Sequence, residues 1–288
     1  MQNKQLSIII VTYHSDDVIG ECLNSIQEYN DIGSSLEVIV VDNSPIAKLS
    51  VVIEQLKLNL DIKYIHNPDN GGFGQGNNIG AKNAKGSLLF ILNPDTILVE
   101  PIFGFMITEF ENSSLTAAGF RLVDRDGNDN DSVGLLPEYN FFYLPRKILN
   151  FLVIELGFLS SYIFPWGADF IVRNDDFINA GMFDESMFLC NEEPDLIHRL
   201  NVNKVKIFNK KLIHLEGHTT VIHEERFTEW LKTTQYYLVK HGGSYRKYII
   251  IFLFRNFSKL ILKSVFFKAV SLEKKVNRLL VKEFKRIN

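Results

Sequence analysis

The chain has 288 residues, 46% of them hydrophobic and 23% charged, so it is long enough to bury a large core and too apolar to be disordered. Its two cysteines, Cys22 and Cys190, lie far apart without metal-ligand spacing, which argues against a zinc site and fits a reducing compartment. The net charge of -3 hides an asymmetry: residues 246–288 carry twelve Lys/Arg and two Glu, leaving nineteen basic and thirty-two acidic residues elsewhere. Such a basic tail seeks an anionic surface.

Leu6 to Val11 is a continuous apolar, β-branched run of the kind found in fully buried parallel strands, and no signal peptide precedes it, so a cytoplasmic protein is expected. The run ends in the polar Thr12-Tyr13-His14-Ser15-Asp16, after which Val18, Cys22, Leu23 and Ile26 recur at helical spacing. Glu37 to Val41 repeats the strand pattern and ends in Asp42-Asn43-Ser44-Pro45. A helical stretch with Val52, Ile53 and Leu56 follows, and then a short strand from Ile62 to Ile65. Strands alternating with helices predict βαβ units.

Next comes a glycine-rich loop, Asn67 to Gly76, followed by a helix with Ile79, Ala81 and Ala84 on its small-residue face. Glycines let backbone N–H groups approach a ligand closely, and a helix start favours anions, so the loop is a candidate phosphate cradle. A buried strand from Ser87 to Leu92 then delivers Asn93-Pro94-Asp95 at its carboxyl end, where open α/β sheets bind ligands. Phe103 to Phe110 reads as a helix, Leu115 to Val123 as a strand, and Asp124 to Asn128 as a turn.

Leu135 to Pro165 is aromatic, apolar and broken by Pro137, Pro145 and Pro165. From Ile148 to Phe164 it approaches the length of a membrane span, but Glu155 interrupts it; a substrate-side flap or membrane-touching helix is expected. Asp169 to Val172 is a strand, and Asp175 to Ala180 a short helix closed by Gly181. Leu196 and Leu200 mark a helix after the acidic Glu192-Glu193-Pro194-Asp195. Val205 to Phe208 and Lys211 to Leu215 read as two strands, Glu216 to Thr220 as a turn, and Glu224 to Lys240 as a helix. Beyond Gly243, Arg255, Lys259 and Lys263 recur every four residues among apolar positions from Ile249 to Phe267, a basic amphipathic pattern suited to a membrane interface.

Each chemically suggestive group has two readings at this level. Asp95 suits a divalent cation bound to a diphosphate, or it caps a helix starting near Ile97. Glu192, Glu193 and Asp195 raise one another's pKa and so offer a general base, or they complement a helix dipole. Asp42 accepts hydrogen bonds from a nucleobase or caps the next helix. His214 lies at a strand end near Glu216 and His218, as a ligand or as a structural histidine.

The order of the motifs is more specific than any one of them. It runs through Ser7–Tyr13, Val38–Ser44, Asn70-Gly71-Gly72-Phe73-Gly74 with Asn77–Gly80, and Leu92–Thr96. It continues through Gly181–Glu185 and Glu192–Leu196 with Arg199. Across roughly residues 6 to 243 this resembles glycosyltransferase family 2, the inverting nucleotide-sugar enzymes of the GT-A fold, and within it the rhamnosyltransferase-like bacterial branch.

The resemblance implies an α/β fold with a Rossmann-like, mixed but mostly parallel sheet and flanking helices. The GT-A domain would span 1–243, with a nucleotide-sugar half to about residue 100 and an acceptor half after it. A basic, membrane-associating helical tail would occupy 244–288. Thr12, Tyr13, Asp42 and Asn43 would line the base and ribose pocket, and Gly72, Phe73 and Asn78 the wall near the donor. Asp95 matches the last carboxylate of the family's metal-binding DxD element, whose first position here is the neutral Asn93. His214 matches a histidine that completes the metal site, for Mg2+ or Mn2+.

Glu193 stands at the position of the catalytic base, normally Asp, so the role could shift to Glu192 or Asp195. The implied reaction moves a sugar, with L-rhamnose from dTDP-rhamnose ahead of UDP-galactofuranose or another UDP-sugar, onto a lipid-linked glycan of bacterial surface polysaccharide such as O-antigen. It would take place at the inner face of the cell membrane. A nucleotidyltransferase and a non-catalytic sugar-nucleotide-binding subunit are the competing readings. Nucleic acid is not an expected partner, and the oligomeric state is left open.

Overall fold

The computed structural model describes residues 4–139, 146–200, 204–215, 224–266 and 271–287. They form two compact units, one of residues 1–134 and 146–217, the other of 135–145 and 218–288.

The first unit opens with β1 (Leu6–Thr12), α1 (Ile19–Glu28), β2 (Leu36–Asp42), α2 (Leu49–Gln55) and β3 (Ile62–His66). Next come α3 (Gly72–Asn83), β4 (Leu88–Leu92), β5 (Thr96–Leu98), α4 (Phe103–Glu111), β6 (Ala117–Val123) and β7 (Val133–Leu135). Then follow α5 (Arg146–Asn150), β8 (Ile163–Pro165), β9 (Asp169–Arg173), α6 (Asn174–Asn179), α7 (Glu192–Arg199) and β10 (Val205–His214). The main sheet has eight strands in the order β3-β2-β1-β4-β9-β6-β10-β5, and β7 pairs with β8 apart from it. β3, β2, β1 and β4 run parallel, as do β6 and β10. β9 is antiparallel to both of its neighbours, and β5 to β10. This is the mixed, mostly parallel α/β sheet that the alternating pattern predicts.

The apolar runs are uninterrupted because helices cover both faces of the parallel strands, leaving every position of β2 buried. Ile8, Ile10, Val38, Val40, Phe90, Phe120 and Phe208 form one continuous core.

Two boundaries differ from the sequence reading. Helix α3 begins at Gly72, inside the stretch expected to be a loop, because its glycines pack face-on against neighbouring segments. A Cβ on Gly76 would lie 2.6 Å from a Val11 methyl, and one on Gly80 would collide with Ile9. The two strands expected after Leu200 form the single strand β10, whose pairing with β6 slips between Phe208 and Lys211. The turn at Glu216–Thr220 lies outside the described residues.

From Ile148 to Phe164 the chain forms the end of α5, a π-helical turn at Phe151–Glu155 and the start of β8, rather than one long helix. Among the described residues no helix is long and apolar enough to cross a membrane.

The second unit contains α8 (Glu224–Lys240), α9 (Tyr245–Phe266) and α10 (Ser271–Arg286). The Tyr245 hydroxyl donates to Glu283 at 2.8 Å, the Asn256 amide donates to Asn277 at 3.1 Å, and the Trp230 ring lies 5.2 Å from Phe252. Along α9 and α10 runs a groove of about 1020 Å³. Its lining includes Phe254 and Phe257 together with Lys274, Lys275, Arg278 and Lys282.

The glycine packing makes a test of stability. Ile9 is β-branched, fully buried and unable to swing away, so Gly80→Val should destabilise the fold by about 1–3 kcal/mol through overpacking. Urea unfolding followed by circular dichroism reads this directly; a variant as stable as the parent would show that α3 is free to lift from β1.

Candidate active site

The carboxyl ends of β1, β2 and β3 lie in register, with Thr12 opposite Asp42 and Asp42 opposite His66. Asp42 is fully buried. Its carboxylate accepts from the Thr12 hydroxyl at 3.1 Å, the Ser44 N–H at 3.0 Å and the Tyr64 hydroxyl at 2.7 Å. Burial and the Asp42 charge together push the Tyr64 hydroxyl pKa up. Asp42 does not cap the next helix, since α2 begins only at Leu49. Asn43 donates to the Gly72 carbonyl at 3.1 Å and accepts from Asn67 at 2.8 Å. Of the four residues expected to line a base and ribose pocket, Thr12, Asp42 and Asn43 are thus buried and engaged with protein. Tyr13 is 54% exposed, with its ring edge-on to His14.

At the start of α3 the glycines face protein. Gly72 has φ +91° and lies against the Phe188 carbonyl, where a side chain would clash, and the Phe73 N–H donates to that carbonyl at 3.2 Å. A Cβ on Gly74 would meet Phe183 at 3.2 Å and Glu192 at 3.5 Å. At Gly72 and Gly74 the start of α3, expected to cradle phosphate, thus packs against the segment from Phe183 to Glu192. Asn78 ties the two together: its amide donates to the Phe183 carbonyl at 2.9 Å and to Glu185 at 3.0 Å, and its oxygen accepts the Phe183 N–H.

Asp95 is 8% exposed at the corner between β4 and β5. The residues after it form a strand, so the helix-cap alternative for Asp95 is closed. In the β5–β10 pairing Thr96 stands opposite His214, and the Leu215 N–H donates to the Asp95 carbonyl at 3.1 Å. This register brings His214 Nε2 to 3.3 Å from Asp95 Oδ1. The buried Nε2 makes no hydrogen bond within the protein. An imidazole nitrogen with no hydrogen bond, beside a carboxylate oxygen, is a donor pair that fits a divalent cation such as Mn2+.

Helix α7 presents its acids through an unusual entry, because both Cys190 and Asn191 adopt left-handed conformations, with φ of 72° and 69°. Each such residue costs roughly 1–2 kcal/mol, which the buried first turn of α7 must offset. Glu192, Glu193 and Asp195 are all buried there. Asp195 pairs with Arg199 at 2.8 Å, and Arg199 also donates to the Ala180 and Met182 carbonyls. Glu193 Oε1 accepts the Gly167 N–H at 2.8 Å. Burial pushes the Glu193 carboxyl above the ordinary carboxylate range, and that N–H pulls it partway back. Glu192 is pushed well above it, by burial first and by the Glu193 charge second, and neither of its oxygens has a hydrogen-bond partner.

The structure joins the two acidic centres through residues that the motif reading passed over. Gly167 holds Glu193, while the carbonyl of the next residue, Ala168, accepts the Asn93 N–H at 3.1 Å and the Thr96 hydroxyl at 3.4 Å, on either side of Asp95. In sequence the only signal is a Gly-Ala pair at the head of a strand. Cys22 lies beneath the same corner, its sulfur 3.8 Å from the Asn93 carbonyl, and burial pushes its thiol pKa far up.

The strand register thus sets a buried aspartate beside a histidine at one end of the sheet, and a backbone turn links that corner to a buried glutamate. The chain belongs to glycosyl transferase family 2, whose model matches residues 7–166. It is 27% identical over 217 residues to the low-salt glycan biosynthesis hexosyltransferase Agl10 of Haloferax volcanii, covering 70% of this chain and 63% of that protein. The chain therefore spans less than two thirds of that relative's length. Among solved structures, the mannosyltransferase PcManGT from Pyrobaculum calidifontis, in complex with GDP-Man and Mn2+, aligns with a TM-score of 0.63 at 13% identity. That alignment covers 84% of this chain and 65% of PcManGT. Residues 1–349 of S. aureus TarS, in complex with UDP-GlcNAc, align with a TM-score of 0.57 at 18% identity, over 88% of this chain and 73% of that one. Both structural likenesses show a shared fold.

The Glu192 carboxyl makes a pH prediction. A buried acid with a raised pKa binds its proton more tightly in the folded state, so its contribution falls as pH climbs from the ordinary carboxylate range through the folded pKa. Glu192→Gln should therefore be more stable than the parent at pH 8 and lose that advantage toward pH 4. Thermal unfolding across this range measures it; parallel curves for the two proteins would place the charge elsewhere.

Proposed function

We propose that this protein is an inverting, metal-dependent hexosyltransferase that moves a sugar from a nucleotide-sugar donor to a hydroxyl of a lipid-linked glycan. One observation carries the reading: Gly167 holds Glu193, and the next residue, Ala168, holds Asn93 and Thr96 on either side of Asp95, so one backbone turn links a candidate cation ligand to a buried candidate base.

In this reading Asp95 and His214 would hold the cation that accompanies the donor diphosphate. Among the described residues no group of three His, Cys, Asp or Glu side chains gathers as a self-sufficient metal site, which suits a metal that arrives with its substrate. When bound, the cation neutralises charge on the leaving diphosphate. Glu193 takes the proton of the acceptor hydroxyl as that oxygen forms its bond to the anomeric carbon and the bond to the diphosphate breaks on the opposite face. Burial suits Glu193 to the task, since a base is most effective with a pKa near the working pH. Asp195 is already paired with Arg199, and Glu192 packs toward Gly74, so Glu193 takes the role ahead of both.

The motifs lean to dTDP-rhamnose as donor. A UDP-hexose is the second reading, supported by the likeness to TarS bound to UDP-GlcNAc. The acceptor belongs to surface-glycan synthesis, in keeping with the glycan-biosynthesis relative. The groove of the second unit supports attachment to an anionic membrane: among its lining residues Phe254 is 76% exposed, and the four cations offer about 1 kcal/mol each near such a surface. In this reading the enzyme works at the inner face of the cell membrane.

Thermal stabilisation by dTDP-rhamnose, UDP-galactofuranose, UDP-GlcNAc and GDP-mannose, each with Mn2+, identifies the donor. With that donor, Glu193→Gln should lower transfer by about 10²–10⁴-fold while keeping the metal-dependent thermal shift. His214→Ala should lose the shift. Undiminished transfer by Glu193→Gln would remove Glu193 as base, and no shift with any nucleotide sugar would remove the donor reading itself.

A second measurement addresses the membrane. Replacing Lys274, Lys275, Arg278 and Lys282 together by Gln should weaken sedimentation with phosphatidylglycerol vesicles by roughly two to three orders of magnitude, and parent binding should fall as salt rises. Equal binding by both proteins would overturn the attachment.

A further inference from the structure

The turn that joins the two acidic centres is fastened by a residue with no part in the chemistry above. Trp166 to Asp169 form that turn, closed by the Asp169 N–H donating to the Trp166 carbonyl at 3.1 Å. Beyond it, β9 pairs with β6 through Val172 opposite Ala117 and Ile171 opposite Ala118, and there the ladder stops. Two residues further along β6, the Phe120 N–H donates to Asp169 Oδ2 instead of to a backbone carbonyl. A side chain replaces the ladder at the point where the turn leaves the sheet.

Asp169 is an expensive choice for that duty. It is fully buried, burial pushes its carboxyl well above the ordinary range, and Oδ1 has no hydrogen-bond partner in the protein. A buried polar atom left unpaired costs roughly 1–3 kcal/mol. Room is scarce as well, since a Cβ on Gly119 would stand 2.9 Å from Pro165 and 3.3 Å from Asp169 Oδ2.

We propose that Asp169 is the positioning residue of the reaction centre: by anchoring the head of β9 to Phe120, it fixes both the Gly167 N–H on Glu193 and the Ala168 carbonyl under Asp95. The inference rests on Glu193 being the base. Glu193 is faced by Glu192 on its own helix and, from the packed segments, by the Gly167 N–H and the Phe73 ring. Against burial, two backbone N–H groups favour the ionised carboxyl, that of Glu193 itself and that of Gly167, and a turn that drifts removes the second. An acceptor at position 169 is what matters, so an amide should serve where a methyl group cannot.

The test uses the full chain with 13Cδ-labelled glutamate and 15N-labelled backbone, followed by NMR against pH, with Glu193→Gln assigning the Glu193 signal. In the parent and in Asp169→Asn, Glu193 should titrate at the same midpoint, with the Gly167 amide in the same position. In Asp169→Ala the Gly167 amide should move upfield and the Glu193 midpoint rise by about one pH unit, the effect of losing one hydrogen bond to a charged group. Asp169→Ser, whose hydroxyl is too short to reach Phe120, stands in if the alanine variant does not fold. A lower melting temperature with an unmoved Glu193 midpoint would overturn the proposal and leave Asp169 a purely structural residue. An Asp169→Asn variant that behaves like Asp169→Ala would overturn it too. Normal transfer by Glu193→Gln would instead strike at the base assignment, which this titration measures separately.

Discussion

Gly167 and Ala168 carry hydrogen bonds from both sides of the proposed reaction centre through backbone atoms alone. The N–H of one holds Glu193, and the carbonyl of the other takes donors from either flank of Asp95. Backbone groups fixed in a sheet-edge turn hold their direction better than long side chains, which retain rotamer freedom. Two carboxyl-bearing segments almost a hundred residues apart in sequence thereby acquire one common reference. The antiparallel strand β9 makes this possible: inserted between β4 and β6, it brings its leading turn beside the carboxyl end of β4.

The remaining residues of the centre act mostly on each other. Asp42, Asn43 and Asn78 are buried and hydrogen-bonded to neighbouring strands and loops, so they stiffen the walls that Tyr13 and the corner at Asp95 present. Arg199 neutralises Asp195 and ties α7 to the carbonyls of Ala180 and Met182. One acid in the turn is thus paired with a cation, while Glu192 and Glu193 are pushed toward their neutral forms by burial. Environment, more than residue type, divides three neighbouring carboxyls into different roles.

Much of this was legible in the residues. The apolar runs at Leu6–Val11 and Glu37–Val41, and the strand ending at Leu92, declared a doubly covered parallel sheet, because no half-exposed strand tolerates such continuity. Asp95, His214 and the acids at 192–195 stood out through charge at element ends. What stayed hidden depended on contacts distant in sequence. Glycine spacing around Gly72 and Gly76 reads equally as an open loop or as a helix pressed against a strand, and only Val11 and Phe188 decide between them. The short β5 has no pattern of its own and exists because β10 supplies its partner. Gly167 and Ala168 contribute only backbone atoms, which side-chain motifs do not register.

Cys22 and Cys190, the two cysteines of the chain, have opposite surroundings. Cys22 is sealed beneath the Asn93 corner with its thiol held protonated, whereas Cys190 is only partly buried, in the strained entry to α7. Because the thiolate is the species that reacts, Cys22 should resist an alkylating dye in the native protein, which leaves Cys190, two residues before Glu192, as the position for such a dye to test. The parent sequence thus carries its own fluorescent reporter position for the acid-bearing turn, without cysteine engineering.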